Sequence, residues 1–298
     1  MSDITRRQIL TTGAVAVGGL ATAIAAGNAQ ANTQKPVAPE RGKANPDGKF
    51  KDKVVLITGA TSGIGEGTAY AFAKEGAKVF FCGRRENLGK QVEAKIKGFG
   101  GEATYRMADV RSEEDVKTFV DACVSKYGRL DIAFNNAGIV NPKLVKLHEK
   151  SSADFLDALN TNAVGLFYSI KYEVPHMLRQ GGGCIVNTAS VSGHKAFTEI
   201  GPYSTSKHAA IGLTKVAALE YAKNNIRITS ISPGGVDTPM LRGARAARGI
   251  SFEEGSKGLP LGRTNTVEEM ARTVMFLTSD EATAFHGSII DVTSGMLD

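Results

Sequence analysis

One stretch constrains this chain more than any other: "VVLITGATSGIGEGTAYAFAK", residues 54–74. An apolar run of strand character ends in a glycine loop, and the loop reopens as a helical pattern. Gly59, Gly63 and Gly65 punctuate it. Such a turn lets backbone N–H groups at a helix N-terminus approach a pyrophosphate closely. Three glycines alone arise often by chance; their place between an apolar strand and a helix gives them weight.

The pattern continues. Short apolar runs at 54–58, 78–82, 103–108, 132–135, 184–188, 227–230 and 288–292 read as strands. Helical stretches fall near 64–75, 86–98, 112–127, 152–179, 203–223 and 266–278. Strict alternation of this kind predicts an α/β fold, a doubly wound parallel sheet with helices on both faces. No internal repeat or change of composition divides it, so one domain is expected over 51–298. Apolar residues at 42% supply an ample core, and the net charge of +6 is spread without a basic block. A solvated basic surface therefore explains the charge better than nucleic-acid binding does.

Ahead of the domain, residues 1–31 have the order of a signal peptide. Arg6 and Arg7 precede a mildly apolar run, and Ala29-Gln30-Ala31 offers a cleavage site. "TRRQIL" resembles a twin-arginine signal, which a receptor reads as an address and which leaves no membrane anchor once cleaved. That implies the twin-arginine export machinery as a partner and a periplasmic or extracytoplasmic site of action; the alternative is a cytoplasmic protein. Residues 32–50, polar with three prolines, are expected to be a flexible linker. Cys82, Cys123 and Cys184 are odd in number and match no zinc spacing, so no metal is expected and no disulfide is needed for folding.

The end of the second strand reads "FFCGRREN". Where a cofactor fold preferring NAD carries an acid for the ribose 2′-hydroxyl, this chain has Gly83. Arg84 and Arg85 follow and can fork onto a 2′-phosphate, which points to NADP(H). Two solvated arginines at a helix start are the plainer alternative.

Farther along, Tyr203 and Lys207 are four apart and share a helix face. A tyrosine near its reference pKa of about 10 is a weak acid–base catalyst at neutral pH. A neighbouring cation is expected to lower that value. Tyr203 can then exchange a proton with a substrate oxygen, and Ser190, at the end of the fifth strand, can polarise the same oxygen. Isolated, such a pair is an ordinary surface feature.

The surrounding motifs change that. The glycine loop, "NNAG" (135–138), "NTNAVG" (160–165), Ser190, "YSTSK" (203–207) and "SPGGVDT" (232–238) occur in the order and spacing of the short-chain dehydrogenase/reductase family, which this chain resembles over about residues 50–298. The resemblance implies a single Rossmann-type sheet in the order 3-2-1-4-5-6-7, assembled as homodimer or homotetramer. It implies Asn162, Ser190, Tyr203 and Lys207 as catalytic residues, with Asn162 ordering a relay water against the lysine. It assigns cofactor contacts to Gly59, Thr61, Ser62, Gly63, Ile64 and Gly65 of the loop and to Arg84 and Arg85. Further contacts fall to Asp109 and Val110, to Asn136, Ala137 and Gly138, and to Tyr203 and Lys207 themselves. Pro233, Gly234, Val236 and Thr238 complete the set. Thr229, where asparagine is usual, and a tail reading "DVTSGM" are the departures; neither touches the reaction centre.

The implied activity is NADP(H)-dependent interconversion of a secondary alcohol and a ketone or aldehyde, on a small-molecule substrate. An NAD(H)-preferring dehydrogenase and a 3-oxoacyl-acyl-carrier-protein reductase-like enzyme share these motifs. A non-catalytic nucleotide-binding sensor or scaffold is the alternative from another class, and it has no need of the intact Ser190-Tyr203-Lys207 set. The substrate loop near 240–261 carries Arg242, Arg245 and Arg248 every three residues. If helical, they form a stripe that can attract an anionic substrate or simply face water.

Overall fold

The computed structural model describes residues 42–140 and 143–296. The expected signal segment and the first part of the expected linker lie outside the described residues. Within them runs the anticipated alternation: β1 (Val54–Thr58), α1 (Gly63–Lys74), β2 (Lys78–Gly83), α2 (Glu86–Gly98), β3 (Glu102–Met107), α3 (Glu113–Tyr127) and β4 (Ile132–Asn135). Next come α4 (Ser152–Leu159), α5 (Gly165–Gln180), β5 (Gly183–Thr188), α6 (Gly201–Tyr221) and β6 (Ile226–Pro233). The short α7 (Pro239–Ala246) and α8 (Phe252–Lys257), then α9 (Val267–Thr278) and β7 (Ile289–Val292), complete the chain.

All seven strands form one parallel sheet in the order β3-β2-β1-β4-β5-β6-β7. The period of two along β1 divides its side chains between two cores. Val54 and Leu56 pack toward α3, α5 and α6, whereas Val55 and Ile57 pack toward α1, α2 and α9. The chain reverses its winding direction between β1 and β4, which pair from Val55↔Ile132 to Thr58↔Asn135. A doubly wound sheet opens a crevice at that switch point, beyond the carboxyl ends of the strands.

Two expectations need correction. Residues 44–50 were expected within the flexible linker, yet they are tied to the domain. Ala44 N–H donates to Phe99 O (2.8 Å) and Asn45 N–H to Lys74 O (2.7 Å). Phe50 is buried and meets Phe72 edge-on at 4.8 Å. The single large apolar side chain of a polar stretch docks, and a turn closed by Asn45 Oδ1 on Asp47 N–H delivers it. The helix expected over 152–179 is two helices, α4 and α5, joined by a π-turn at Asn160–Val164. Such bulges mark places where a side chain is re-aimed, and this one contains Asn162.

Candidate active site

The crevice is a cleft of about 500 Å³ walled by the glycine loop, the ends of β2 and β4, and α7. Its shape comes from positions where no side chain fits. Gly59 has φ +69°, and a Cβ there would lie 2.6 Å from the Ala137 backbone. At Gly65 a Cβ would fall 2.6 Å from Gly59 O. Side chains at the ends of β1 and β4 lock the loop: Asn136 Nδ2 donates to Gly59 O (3.0 Å), and Thr58 Oγ1 accepts from the N–H groups of Asn136 and Ala137 (both 3.1 Å). Ser62 stands at the N-cap of α1 but makes no capping bond. Its hydroxyl takes a hydrogen bond from Arg85 instead (2.6 Å). The first N–H groups of α1 thus keep their capacity for an anion, at the positive end of a twelve-residue helix. A backbone cradle, orphan donors and a cation at the lip fit the pyrophosphate of a dinucleotide cofactor.

Of the residues expected at the cofactor, Gly59, Thr61, Ser62, Gly63, Ile64, Arg84, Arg85, Asp109, Val110, Asn136, Ala137, Gly138 and Thr238 all lie in this wall. Gly65, Pro233, Gly234 and Val236 do not. Gly65 seats the helix on the loop, Gly234 lets β6 approach Thr293, and Val236 is buried beside Asn265. Thr238 caps α7, its Oγ1 accepting from Leu241 N–H (3.3 Å). The Asp109 carboxylate, below its ordinary range, is gripped by Arg111 (2.6 Å) with Arg84 at 3.9 Å. Sequence reasoning missed Ile139, Val140, Thr161, Met240, Gly243 and Ala244 in the wall. They contribute surface, and of them only Thr161 falls in a motif, the NTNAVG stretch.

The expected catalytic group assembles beside this cleft. Ser190 lies two residues past β5 and caps the turn Val191–Gly193, its Oγ accepting from Ser192 N–H (3.1 Å). Its hydroxyl lies close enough to the Tyr203 phenol to act on that group's ionisation. Lys207, one turn along α6, is buried and places Nζ 5.7 Å from the Tyr203 ring centre, donating to Thr188 O (2.8 Å). Asn162 reaches in from the π-turn. Its amide brackets Ile139, accepting from the N–H (2.8 Å) and donating to the carbonyl (2.9 Å), and donates to Ser206 Oγ on α6 (2.9 Å). A Cβ on Gly138 would sit 3.2 Å from Asn162 Oδ1 and 3.5 Å from Lys207 Nζ, so Asn162 and Lys207 converge closely on this glycine.

The electrostatics differ from expectation in one respect. Tyr203 keeps part of its surface open, yet its dense surroundings push the phenol above the ordinary tyrosine value; the nearby Ser190 hydroxyl is what pulls it back. The lysine is not among the influences that lower it. Desolvation brings Lys207 itself down to about 8. Burial is the leading influence on both groups.

Two arginines of the expected stripe are engaged within the fold, while Arg248 is exposed. Arg242 pairs bidentately with Asp237 (2.7 and 2.8 Å). Arg245 donates to Phe252 O (2.7 Å), Gly255 O (2.7 Å) and Ser256 Oγ (2.8 Å). Both guanidiniums lie over the Phe252 ring, at 4.1 and 4.7 Å. Nearby carboxylate and carbonyl acceptors capture them, so they hold α7 to α8 instead of presenting charge to a substrate. Among the described residues no group of His, Cys, Asp or Glu is placed to hold a metal. A second groove, about 660 Å³, opens at the opposite end of the strands beside Arg129, Asp131 and Arg227 and contains none of the expected site residues.

A family model described as enoyl-(acyl carrier protein) reductase matches residues 59–297. Cyclohexanol dehydrogenase of Acinetobacter sp. (strain SE19) is 41% identical over 242 residues, spanning 80% of this chain and 93% of that protein. The structure of actinorhodin polyketide ketoreductase with NADPH superposes with a TM-score of 0.80 at 34% identity, over 86% of this chain and 99% of that one. That of 3-ketoacyl-(acyl-carrier-protein) reductase from Brucella melitensis complexed with NADH gives 0.76 at 31%, over 83% and 98%.

Proposed function

The chain belongs to the short-chain dehydrogenase/reductase family of oxidoreductases, and from that membership we propose that it interconverts a secondary alcohol and a ketone or aldehyde with NADP(H). The observation that carries this reading is the meeting of Ser190, Tyr203 and Lys207 beside a glycine-loop cleft shaped for a dinucleotide. A bound nicotinamide supplies or takes the hydride at the carbon bearing the reacting oxygen. Tyr203 gives that oxygen its proton in reduction, or removes it in oxidation. Ser190, beside the phenol, steadies the oxygen. The phenolate left by proton donation is stabilised by the Lys207 ammonium, a charge interaction that exists only once the phenol has ionised. Asn162 holds the loop after β4 against α6 and so sets the spacing of these groups.

The preference for NADP(H) is supported at Gly83. A Cβ there would lie 2.6 Å from Thr61 Cγ2, so the position rejects an aspartate unless the loop shifts. Arg84 and Arg85 are exposed on the lip beside it. Replacing both with alanine should raise the KM for NADPH by about 10- to 100-fold, the worth of one or two charge-assisted hydrogen bonds, and leave that for NADH nearly unchanged. Steady-state kinetics with both nucleotides checks this; equal effects on the two would remove the assignment.

Export in the folded state, with cofactor loaded, completes the proposal. Its supports are the Arg6-Arg7 pair and three buried free cysteines, which require no oxidising compartment. Replacing both arginines by lysine should trap full-length protein in the cytoplasm on fractionation; a distribution unaffected by the change would contradict the export reading. Exposed Phe167, Val216 and Leu219 on α5 and α6 support assembly into a dimer or tetramer.

A further inference from the structure

Glu173 has no exposed surface. It lies on the core-facing stripe of α5 with Ser169, Ile170 and Met177, where a carboxyl needs a partner. Asn135 Nδ2 provides one, donating to Glu173 Oε2 (3.0 Å) and also to Asn187 Oδ1 (3.1 Å). Asn187 Nδ2 continues to Thr214 Oγ1 (3.0 Å). An unbroken polar chain therefore crosses the interior from α5 through β4 and β5 to α6, the helix of Tyr203 and Lys207. Its second member is the residue that leads into Asn136, Ala137 and Gly138 of the cleft wall.

In the middle of this chain two acceptors, Glu173 Oε1 and Asn135 Oδ1, have no protein partner, and the same holds for Thr161 Oγ1 and Thr188 Oγ1. Asn135, Thr161 and Thr188 line one chamber of about 10 Å³, together with Asn162. That is roughly the room a single water takes. The Thr188 carbonyl is also the acceptor of the Lys207 ammonium.

We propose that Glu173 is a positioning residue: its proton supplies the donor that Asn135 Oδ1 lacks, and so holds the Asn136–Gly138 loop and the chamber beside Lys207 in the arrangement that binds the nicotinamide cofactor. This rests on the oxidoreductase reading above. A neutral acid beside a primary amide satisfies both acceptors, through O–H to the amide oxygen and N–H to the acid oxygen. An ionised Glu173 turns that oxygen toward a carboxylate, and the amide must swing away, loosening the loop. Burial pushes the Glu173 carboxyl up to about 7, with the Asn135 bond only partly opposing it. The titratable groups that sense it are the thiols of Cys82 on β2 and Cys123 on α3, both held protonated by burial. On α6, Lys207 is lowered by desolvation alone, and burial and Ser190 set Tyr203, so neither responds to Glu173.

The test compares wild type with Glu173→Gln, which keeps the shape and presents an N–H donor at every pH. NADPH affinity of the full-length protein is measured by fluorescence at about pH 6 and about pH 8, and urea unfolding is followed without cofactor at the same values. Wild-type affinity should fall about tenfold as the competent, protonated fraction shrinks, and that of Glu173→Gln should change far less. Lys207 titrates in both proteins, so their difference isolates Glu173. A raised carboxyl value also means that stability present below about pH 4.5 is lost as pH rises through about 7. The urea midpoint of wild type should accordingly drop over the interval, and that of the variant should not. Parallel behaviour of the two proteins in both measurements would overturn the proposal. If Glu173→Gln fails to fold, the wild type still decides: the infrared band of a buried neutral carboxylic acid must vanish as NADPH affinity falls, and its persistence would overturn the proposal. Failure of NADPH and NADH to bind at either pH would instead sink the oxidoreductase reading, and the urea comparison would still judge the Glu173 proton.

Discussion

Tyr203→Phe should bind NADPH as wild type does and turn over about 10²- to 10⁴-fold more slowly, the range a positioned acid–base group contributes. The substitution removes one oxygen and keeps the ring. The Lys207 ammonium, 5.7 Å from the ring centre, retains its cation–π neighbour, and its hydrogen bond to Thr188 O does not involve the phenol. What disappears is the proton at the substrate oxygen, with the hydroxyl that lies near Ser190. A loss of nucleotide binding in step with turnover would mean that the phenol is structural. Turnover equal to wild type would mean that the proton comes from another group.

Lys207→Met should lose turnover on a similar scale while changing stability in the opposite sense. The ammonium is buried, and its value falls from 10.5 to about 8 through desolvation. Below about pH 8 both folded and unfolded chains carry the charge, and the folded state alone bears the desolvation penalty. As pH rises past 8 the folded chain sheds its proton first, and relief is complete near 10.5. Wild-type stability should therefore rise across that window by about 3 kcal/mol, and the same amount is missing as pH falls through 8. Lys207→Met has no such proton to shed. Urea midpoints between about pH 7 and about pH 10 should climb for wild type and stay level for the variant. A level wild-type profile would show that the lysine is not held charged against its surroundings. A site that keeps a buried cation at the expense of stability is one in which the cation has work to do.

Much of this was legible in the chain. Alternating apolar runs define the sheet because a strand covered on both faces must be apolar throughout, as "VVLIT" is. The glycine loop and the Tyr203–Lys207 spacing are local patterns, and local patterns survive folding. Harder to read were features that depend on distant partners. Phe50 looks like part of a polar arm until Phe72 is placed against it. The break at Asn160–Val164 has no proline to announce it, and helical periodicity runs through it. The arginines of α7 found partners in Asp237 and in the carbonyls of α8, which sequence spacing does not reveal. Glu173 was within reach. Leu166, Ile170, Glu173 and Met177 fall on one helical stripe, and an acid on an apolar stripe is a signal whenever its neighbours are core residues.

The central claim is that this chain moves a hydride to or from a carbonyl carbon while Tyr203 moves the proton at its oxygen. It is tested most directly by mixing the purified protein with NADPH and a panel of ketones and aldehydes, or with NADP and the matching alcohols, and following the absorbance of the reduced nucleotide. The account predicts consumption or formation of NADPH with at least one substrate pair, weaker rates with the NAD couple, and near silence from Tyr203→Phe on that same pair. Equal rates from wild type and Tyr203→Phe on a responsive substrate would contradict it.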